Sequence, residues 1–212
     1  MDARKVLILG ATGGTGQHLV VQALRQGHEV TAFVRNPERL AATDARLRVM
    51  TGPVEDAGAL HQAVRGQDVI ISALGRGQSF KADGLMARSA QAIVDAMTAQ
   101  GVRRLIFMSG FGVGRARRTL PLLPWMFAAT LLRQIYADKA VAEAIVRSSA
   151  LDWTIVQPVG LTNAPVTGRY RAGEHVELRG FPTISRADVA ICILTLLTNG
   201  ASVRKTLVVR RA

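Results

Sequence analysis

Short apolar runs alternate along the chain with longer stretches in which apolar residues recur every three or four positions. The runs predict strands and the spaced positions predict helices, because side chains repeat with different periods in the two elements. The predicted strands are 6–9, 29–34, 47–50, 68–73, 105–108, 153–156 and 205–209. The predicted helices are 15–27, a short helix from Pro37, 57–64, 84–100, 130–148 and 185–197. Repeated strand–helix–strand units of this kind favour a parallel sheet with helices on both faces.

Two irregular stretches interrupt this alternation. Residues 110–129 and 157–184 each follow a predicted strand, so we expect them at the carboxyl edge of the sheet, where this architecture binds ligands. No repeat, low-complexity run or linker divides the 212 residues, and we expect a single domain over 1–212. Ser185 and Asp188 have the spacing of a capping box at the start of the last helix.

Composition excludes several classes of protein. Hydrophobic residues make up 49% of the chain and charged residues 20%, which is not the balance of a disordered protein. The single cysteine, Cys192, excludes a disulfide framework and a multi-cysteine zinc site, and we expect it in the core. The four histidines are scattered without ligand spacing, so no metal site is predicted.

The chain carries a net charge of +12, from 27 lysines and arginines against 15 acidic residues. Such an excess attracts anions, although an arginine-rich proteome would produce the same bias without a binding role. A nucleic-acid binder is disfavoured, because the basic residues form no recognition helix and aromatics amount to 5%. Neither a signal peptide nor an apolar stretch of membrane-spanning length is found, so we expect a soluble cytoplasmic protein.

The most informative motif lies directly after the first strand and before the first helix. Residues 10–16 read Gly-Ala-Thr-Gly-Gly-Thr-Gly. Gly10 permits a tight turn, Gly13 lets the backbone approach a pyrophosphate, and Gly16 lets the helix pack closely on the strand. The helix N-terminus offers free N–H groups and a positive dipole end to the phosphates. We therefore expect a dinucleotide site in a Rossmann-type, doubly wound fold; a glycine turn kept only for packing is the alternative.

Arg35, at the end of the second strand, selects between the two dinucleotides. An acidic residue at this position would bind the ribose 2′-hydroxyl of NAD. A guanidinium instead forms charge-assisted hydrogen bonds to phosphate, each worth roughly 1.5–3 kcal/mol. Arg39 follows one helical turn later. These residues favour NADP(H), whereas a solvated surface arginine is the alternative.

The segment 6–39 resembles an atypical short-chain dehydrogenase/reductase. More narrowly, it is similar to the NAD(P)H-binding group that includes the NmrA-like proteins and the biliverdin-IXβ reductase and flavin reductase type. The resemblance continues through 71–75, 108–110, 138–161 (DKAVAEAIVRSSALDWTIVQPVGL) and 184–189 (ISRADV), which together span nearly the whole chain. The last two segments make it specific, because the glycine motif alone is widespread.

The resemblance implies a role for each matching position. The glycine loop would cradle the pyrophosphate, the end of the fourth strand would lie beside the nicotinamide half, and the proline loop would orient the carboxamide through backbone groups. Ser109 would face the reacting ring. The implied contacts to NADP(H) are Gly10, Thr12, Gly13, Gly14, Thr15, Gly16, Arg35, Arg39, Leu74, Gly75, Ser109, Lys139, Pro158, Val159 and Gly160.

The chain also departs from the family pattern. The usual catalytic pair is Tyr-x-x-x-Lys, whereas Tyr136 and Lys139 are three residues apart. Both can still face one cleft, but not in the standard arrangement. The candidate catalytic residues are therefore Ser109, Lys139 and Tyr136, with Lys139 preferred for cofactor or acidic substrate and Tyr136 open to a packing role. Gln157 replaces a common arginine, and Pro53 replaces an aspartate near the adenine.

Residues 110–132 combine arginines with a following aromatic and aliphatic run, and with 157–184 they are the expected substrate side. A flat acceptor with acidic groups, such as a flavin, a linear tetrapyrrole or a quinone, suits this composition. A lid, a dimer contact or attachment to anionic lipid would suit it as well. The sequence thus predicts an NADPH-dependent reductase, as a monomer or homodimer. Two alternatives are a non-catalytic NADP(H)-sensing regulator and an epimerase or dehydratase of the short-chain type.

Overall fold

A sheet of eight strands forms the centre of the computed structural model, which describes residues 3–75, 84–113, 133–178 and 180–212. Its strands are β1 (Lys5–Leu9), β2 (Glu29–Val34), β3 (Leu47–Thr51), β4 (Val69–Ser72), β5 (Arg104–Met108), β6 (Asp152–Pro158), β8 (Tyr170–Gly173) and β10 (Lys205–Arg211). Their order is β3-β2-β1-β4-β5-β6-β10-β8, and all neighbours are parallel except the edge strand β8. A separate parallel pair consists of β7 (Gly160–Thr162) and β9 (Thr183–Ser185).

Helices cover both faces of the sheet. They are α1 (Gly14–Arg25), α2 (Ala57–Val64), α3 (Leu85–Gln100), α4 (Arg133–Ser148) and α5 (Arg186–Thr195), with short 3-10 turns at Pro37–Arg39 and Gly200–Ser202. α1 and α5 pack together on one face, and α2, α3 and α4 pack on the other. The expected Rossmann-type, single-domain fold is confirmed. None of the helices in the described ranges is long and apolar enough to cross a membrane.

The predicted elements within the described residues are confirmed, with β2 and α2 at their expected bounds. Cys192 lies in the core as expected, where burial raises the pKa of its thiol to about 12. The expectation that 157–184 is irregular was wrong, because β7, β8 and β9 form within it. Of the expected segment 110–132, residues 114–132 lie outside the described residues.

The predicted capping box forms only in part. The Ser185 hydroxyl accepts a hydrogen bond from the Asp188 backbone N–H at 3.0 Å. The Asp188 carboxylate is directed mainly towards the loop before β8. It accepts 2.8 Å bonds from the Thr167 N–H, the Thr167 hydroxyl and the Gly168 N–H. The loop before β8 therefore takes the carboxylate that the local sequence pattern assigned to the helix cap.

The strand order places a crevice between β1 and β4. Connections from β1 lead outward to β2 and β3 on one side, and β4 begins the other half of the sheet. Ligands of doubly wound sheets bind where the strand order reverses, at the carboxyl ends of the strands. The glycine loop follows β1 and residues 73–75 follow β4, so both lie at this reversal point.

Asp138 of α4 anchors the start of α3. Its buried carboxylate accepts hydrogen bonds from the N–H groups of Met86 (3.1 Å) and Ala87 (3.0 Å). The residue before α3 is Gly84, which has no side chain to cap the helix. A carboxylate from the neighbouring helix therefore satisfies these N–H groups and also favours the positive helix end.

We expect Asp138→Ala to lower the free energy of unfolding by about 2 kcal/mol, because a buried and a half-buried N–H group lose a charged acceptor. Urea denaturation measures this change. Asp95→Ala is the matched control on α3, since its carboxylate bonds only the exposed Gln91 side chain; it should change the free energy of unfolding by less than about 0.5 kcal/mol. Equal losses in the two variants would contradict the role assigned to Asp138.

Candidate cofactor-binding site

The glycine loop turns sharply because its glycines contact backbone. Gly10 has φ of +79°, and a Cβ on it would lie 2.7 Å from the carbonyl oxygen of Ala73. A Cβ on Gly16 would overlap the carbonyl oxygen of Gly10. The Gly13 N–H donates to that same oxygen at 3.0 Å. Side chains at these positions would separate β1, α1 and the end of β4, and the cradle between them would be lost.

The N-terminus of α1 faces this cradle, and its own first turn supplies no anion. Its N-cap residue is Gly13, which forms no side-chain cap, and the first turn contains no acidic residue. Backbone N–H groups of the first turn are unsatisfied within any α-helix and carry the positive end of its dipole. The arrangement fits a pyrophosphate, which would supply the missing acceptors.

Arg35 and Arg39 lie at the end of β2 and are exposed. Neither forms an ion pair with a described residue. The nearby acid, Glu38, accepts a 2.9 Å hydrogen bond from the Asn36 side chain, which holds the pKa of that carboxyl below its usual range. Both guanidinium groups are thus available to a phosphate on the ribose.

Ser109 follows β5 and presents a buried hydroxyl without a partner. Its backbone N–H donates to Val156 at 2.8 Å, which holds residue 109 against β6. Its Oγ is buried and forms no hydrogen bond with the described residues. Leu74 and Gly75 follow the neighbouring strand β4, with Leu74 half-buried and Gly75 exposed. A buried hydroxyl without a partner is costly, so this group suits contact with a bound molecule.

The Lys139 amino group lies against the backbone beside Ser109. A Cβ on Gly110 would be only 2.9 Å from Lys139 Nζ. Burial lowers the pKa of Lys139, while the carboxylates of Glu143 and Asp138 act in the opposite direction. Burial also raises the pKa of Tyr136, which lies one turn earlier on α4. The tyrosine is therefore stabilised as a protonated phenol, and the lysine gives up its proton more readily than a solvated one.

Glu143, which the sequence analysis did not single out, connects α4 to the loop after β5. Its side chain is fully buried, and its carboxylate accepts 2.7 Å hydrogen bonds from Gln157 Nε2 and from an Arg147 guanidinium N–H. Gln157 also donates to the carbonyl of Val113 at 3.3 Å. The position of Glu143 four residues after Lys139 was the available signal, since such residues share a helix face.

Backbone groups of the proline loop are largely committed within the protein. The Val159 N–H donates to Val209, the Gly160 N–H donates to Pro182, and the Pro158 carbonyl accepts from the Phe111 N–H, at 3.0–3.2 Å. The Val159 and Gly160 amides are therefore engaged as donors. Carbonyl oxygens have a second lone pair, so any contact of Pro158 with a carboxamide would use its oxygen as an acceptor.

A cavity of about 350 Å³ borders the proline loop. Pro182 and Thr183 line it next to Gly160, and Arg210 and Arg211 line it from the end of β10, together with Glu177. The Nε of Arg210 is buried and has no hydrogen-bond partner among the described residues. Two guanidinium groups at the carboxyl edge of the sheet suit an acidic group of a ligand.

Comparison with known proteins places the chain in a family. A family model described as NAD(P)H-binding covers residues 10–200. The chain belongs to this NAD(P)H-binding family. It is 33% identical over 204 residues to the uncharacterized sugar epimerase YhfK of Bacillus subtilis, covering 91% of this chain and 87% of the relative. The match confirms the resemblance to atypical short-chain dehydrogenases/reductases.

Two solved structures of similar proteins share the fold of this NAD(P)H-binding protein. ChuY, an anaerobillin reductase from Escherichia coli O157:H7, is 26% identical with a TM-score of 0.80, covering 97% of this chain and 96% of ChuY. A short-chain dehydrogenase/reductase from Veillonella parvula in complex with NADP is 24% identical with a TM-score of 0.83, covering 98% of this chain and 94% of that one. The second likeness bears on the fold alone.

In this NAD(P)H-binding protein, Glu143 controls the charge beside Lys139. We expect Glu143→Gln to lower the pKa of Lys139 further, because the opposing negative charge is removed while the shape is kept. Arg147→Met should raise that pKa, because it removes a cation 2.7 Å from the same carboxylate. A carbon-13 NMR titration of the side chains of the four lysines measures both shifts. Shifts of the same sign in both variants would contradict this electrostatic coupling.

Proposed function

We propose that the chain is an NADPH-dependent oxidoreductase that transfers a hydride to a flat, conjugated acceptor with acidic groups. Flavins, linear tetrapyrroles and quinones belong to this class. Two neighbouring polar groups carry the proposal. The Ser109 hydroxyl is buried without a hydrogen-bond partner among the described residues, and the Lys139 amino group lies against Gly110, the next residue. Both lie at the carboxyl edge of the sheet that also carries the glycine loop.

Arg35 and Arg39 support NADPH as the cofactor. They are exposed at the end of β2, and neither is paired with a described acid. Arginine binds phosphate through paired charge-assisted hydrogen bonds, which the ribose 2′-hydroxyl of NADH cannot match. Residues 10–16 and the start of α1 would hold the pyrophosphate, and residues 74–75 would lie beside the nicotinamide.

The protein's part in the reaction is to orient the reactants and to supply a proton. When bound, reduced nicotinamide supplies the hydride. Ser109 would contact the reacting region and pass a proton, and Lys139 would hold the proton that balances the added hydride. The lowered pKa of Lys139 favours this donation. Tyr136, stabilised as a phenol, would contribute a hydrogen-bond donor rather than a base.

Acidic groups on the acceptor would be bound by arginines. The cavity beside the proline loop contains Arg210 and Arg211, and the buried Arg210 Nε still lacks a partner among the described residues. The similarity to ChuY, whose name describes an anaerobillin reductase, supports a tetrapyrrole within the proposed class. The composition of residues 110–132, with arginines followed by an aromatic and aliphatic run, also suits an acceptor of this class.

Two observations favour other functions of the same site. The relative YhfK is named as a sugar epimerase, which would bind the cofactor without exchanging it. The spacing of three between Tyr136 and Lys139 departs from the standard catalytic pair and favours a sensor that binds NADP(H) without turnover. The acceptor assay below separates these functions from a reductase.

The test is oxidation of NADPH, followed by the loss of nicotinamide absorbance, with flavin mononucleotide, biliverdin and a small quinone offered in turn. NADH is run in parallel. We expect turnover with at least one acceptor, faster with NADPH, and a lower kcat with unchanged NADPH affinity in Ser109→Ala. Tight NADPH binding without turnover would argue for a sensor, and cofactor that stays bound through purification would argue for an epimerase.

Arg35→Ala should weaken NADPH binding by about 10- to 100-fold, because a charge-assisted contact to the 2′-phosphate is lost. NADH binding should change by less than about twofold, since NADH lacks that phosphate. Titration calorimetry with each cofactor measures the ratio. Arg48→Ala is the control, because it removes the same charge from an exposed position on β3. Equal losses for NADPH and NADH would exclude Arg35 from the 2′-phosphate site.

A further inference from the structure

Arg186 lies across the start of α1, although it belongs to the first turn of α5. A Cβ on Gly14 would lie 2.8 Å from Arg186 Cδ and 2.9 Å from Arg186 Nε. The guanidinium donates a 2.7 Å hydrogen bond to the side-chain oxygen of Asn163. Gln22 of α1 donates to the carbonyl of Ala187 at 3.1 Å, which holds the two helices together at this point. The arginine is therefore positioned from three sides.

The electrostatic surroundings of Arg186 are unfavourable in the protein alone. Its guanidinium lies beside the positive end of α1, and its backbone begins α5, so two helix N-termini meet a cation. Arg186 forms no ion pair with any residue that the structure describes. The nearest acid along its own helix, Asp188, already accepts three hydrogen bonds from Thr167 and Gly168. An anion at the start of α1 would remove this conflict.

We propose that Arg186 binds the pyrophosphate of the dinucleotide from beside Gly14 of the glycine loop, with Asn163 holding the guanidinium in place. This inference rests on the proposed function for the presence of a dinucleotide. The ligand chemistry is a diphosphate ester, which both NADPH and NADH carry. Arg186 therefore contributes to affinity for either cofactor, whereas Arg35 contributes to the choice between them.

The same geometry assigns a separate reason to Gly14. The backbone of Gly14 has a helical conformation that any residue can adopt, since only Gly10 in this loop has a positive φ. Its missing side chain instead leaves room for Arg186. An alanine there would displace the arginine, because a long flexible side chain moves more easily than the backbone. Gly14 and Arg186 therefore act as one unit.

The test compares Arg186→Gln, Arg186→Lys, Gly14→Ala and the Gly14→Ala/Arg186→Gln double variant. Calorimetry measures binding of NADPH, NADH and 2′-AMP, which carries the 2′-phosphate but no pyrophosphate. Arg25→Gln is the matched control, since it removes the same charge from an exposed position at the far end of α1. Urea denaturation of each variant verifies folding, and Arg186→Lys keeps the charge without the fork that bonds Asn163.

Arg186→Gln should weaken NADPH and NADH by the same factor, about 10- to 100-fold, and leave 2′-AMP unchanged. Arg186→Lys should lose less affinity for the two cofactors than Arg186→Gln. The double variant should bind them as weakly as Arg186→Gln alone, because Gly14→Ala acts through the same arginine. Cofactor affinities equal to those of Arg25→Gln, or an equal loss for 2′-AMP, would overturn the inference. Additive losses in the double variant would overturn the link to Gly14. A wild-type chain that binds NADH but not NADPH would contradict the proposed cofactor. In that case, a loss of NADH affinity of about 10- to 100-fold in Arg186→Gln would still support the role of Arg186.

Discussion

The close approach of the Gly10 backbone to the carbonyl of Ala73 determines the geometry of the whole carboxyl edge. A Cβ on Gly10 would lie only 2.7 Å from the carbonyl oxygen of Ala73, so only glycine fits where β1 and the end of β4 approach this closely. Gly16 extends the same constraint to α1, which rests directly on the turn. The start of α1 and the end of β4 thus border one narrow crevice, at the place where the strand order reverses.

The other side of that crevice depends on a buried carboxylate. The Glu143 carboxylate accepts hydrogen bonds from Gln157 and Arg147. Gln157 also donates to the carbonyl of Val113 in the loop after β5. In the family pattern an arginine is common at position 157, which would neutralise this carboxylate from β6. With glutamine there, the compensating charges come from α4 itself, through Arg147 and Lys139. This exchange makes the charge state of Lys139 more dependent on Glu143, because buried charges are weakly screened.

Local pattern was sufficient for the predicted strands, the helices and the glycine loop, since each depends on neighbours within one element. It missed β7, β8 and β9, which are short. The Asp56 side chain caps α2 through the Ala59 N–H, as a residue of this type before a helix predicts. Asp188 shows where local pattern fails, because a loop 20 residues earlier takes its carboxylate. Arg186 could not be found in this way, since its contact with Gly14 joins positions 172 residues apart. Only the packing of α5 on α1 creates it.

Cations at the carboxyl edge account for part of the net charge of +12. Arg35 ends β2, Lys139 faces the loop after β5, and Arg186 begins α5, so the positive groups come from three separate elements. Together with the α1 N-terminus they provide positive charge and hydrogen-bond donors at the edge where a ligand with several phosphates would bind. The binding energy of such a ligand would include electrostatic attraction to these groups as well as new hydrogen bonds. The stabilisation on binding should therefore fall as salt rises, because ions screen the attraction between these groups and an anionic ligand.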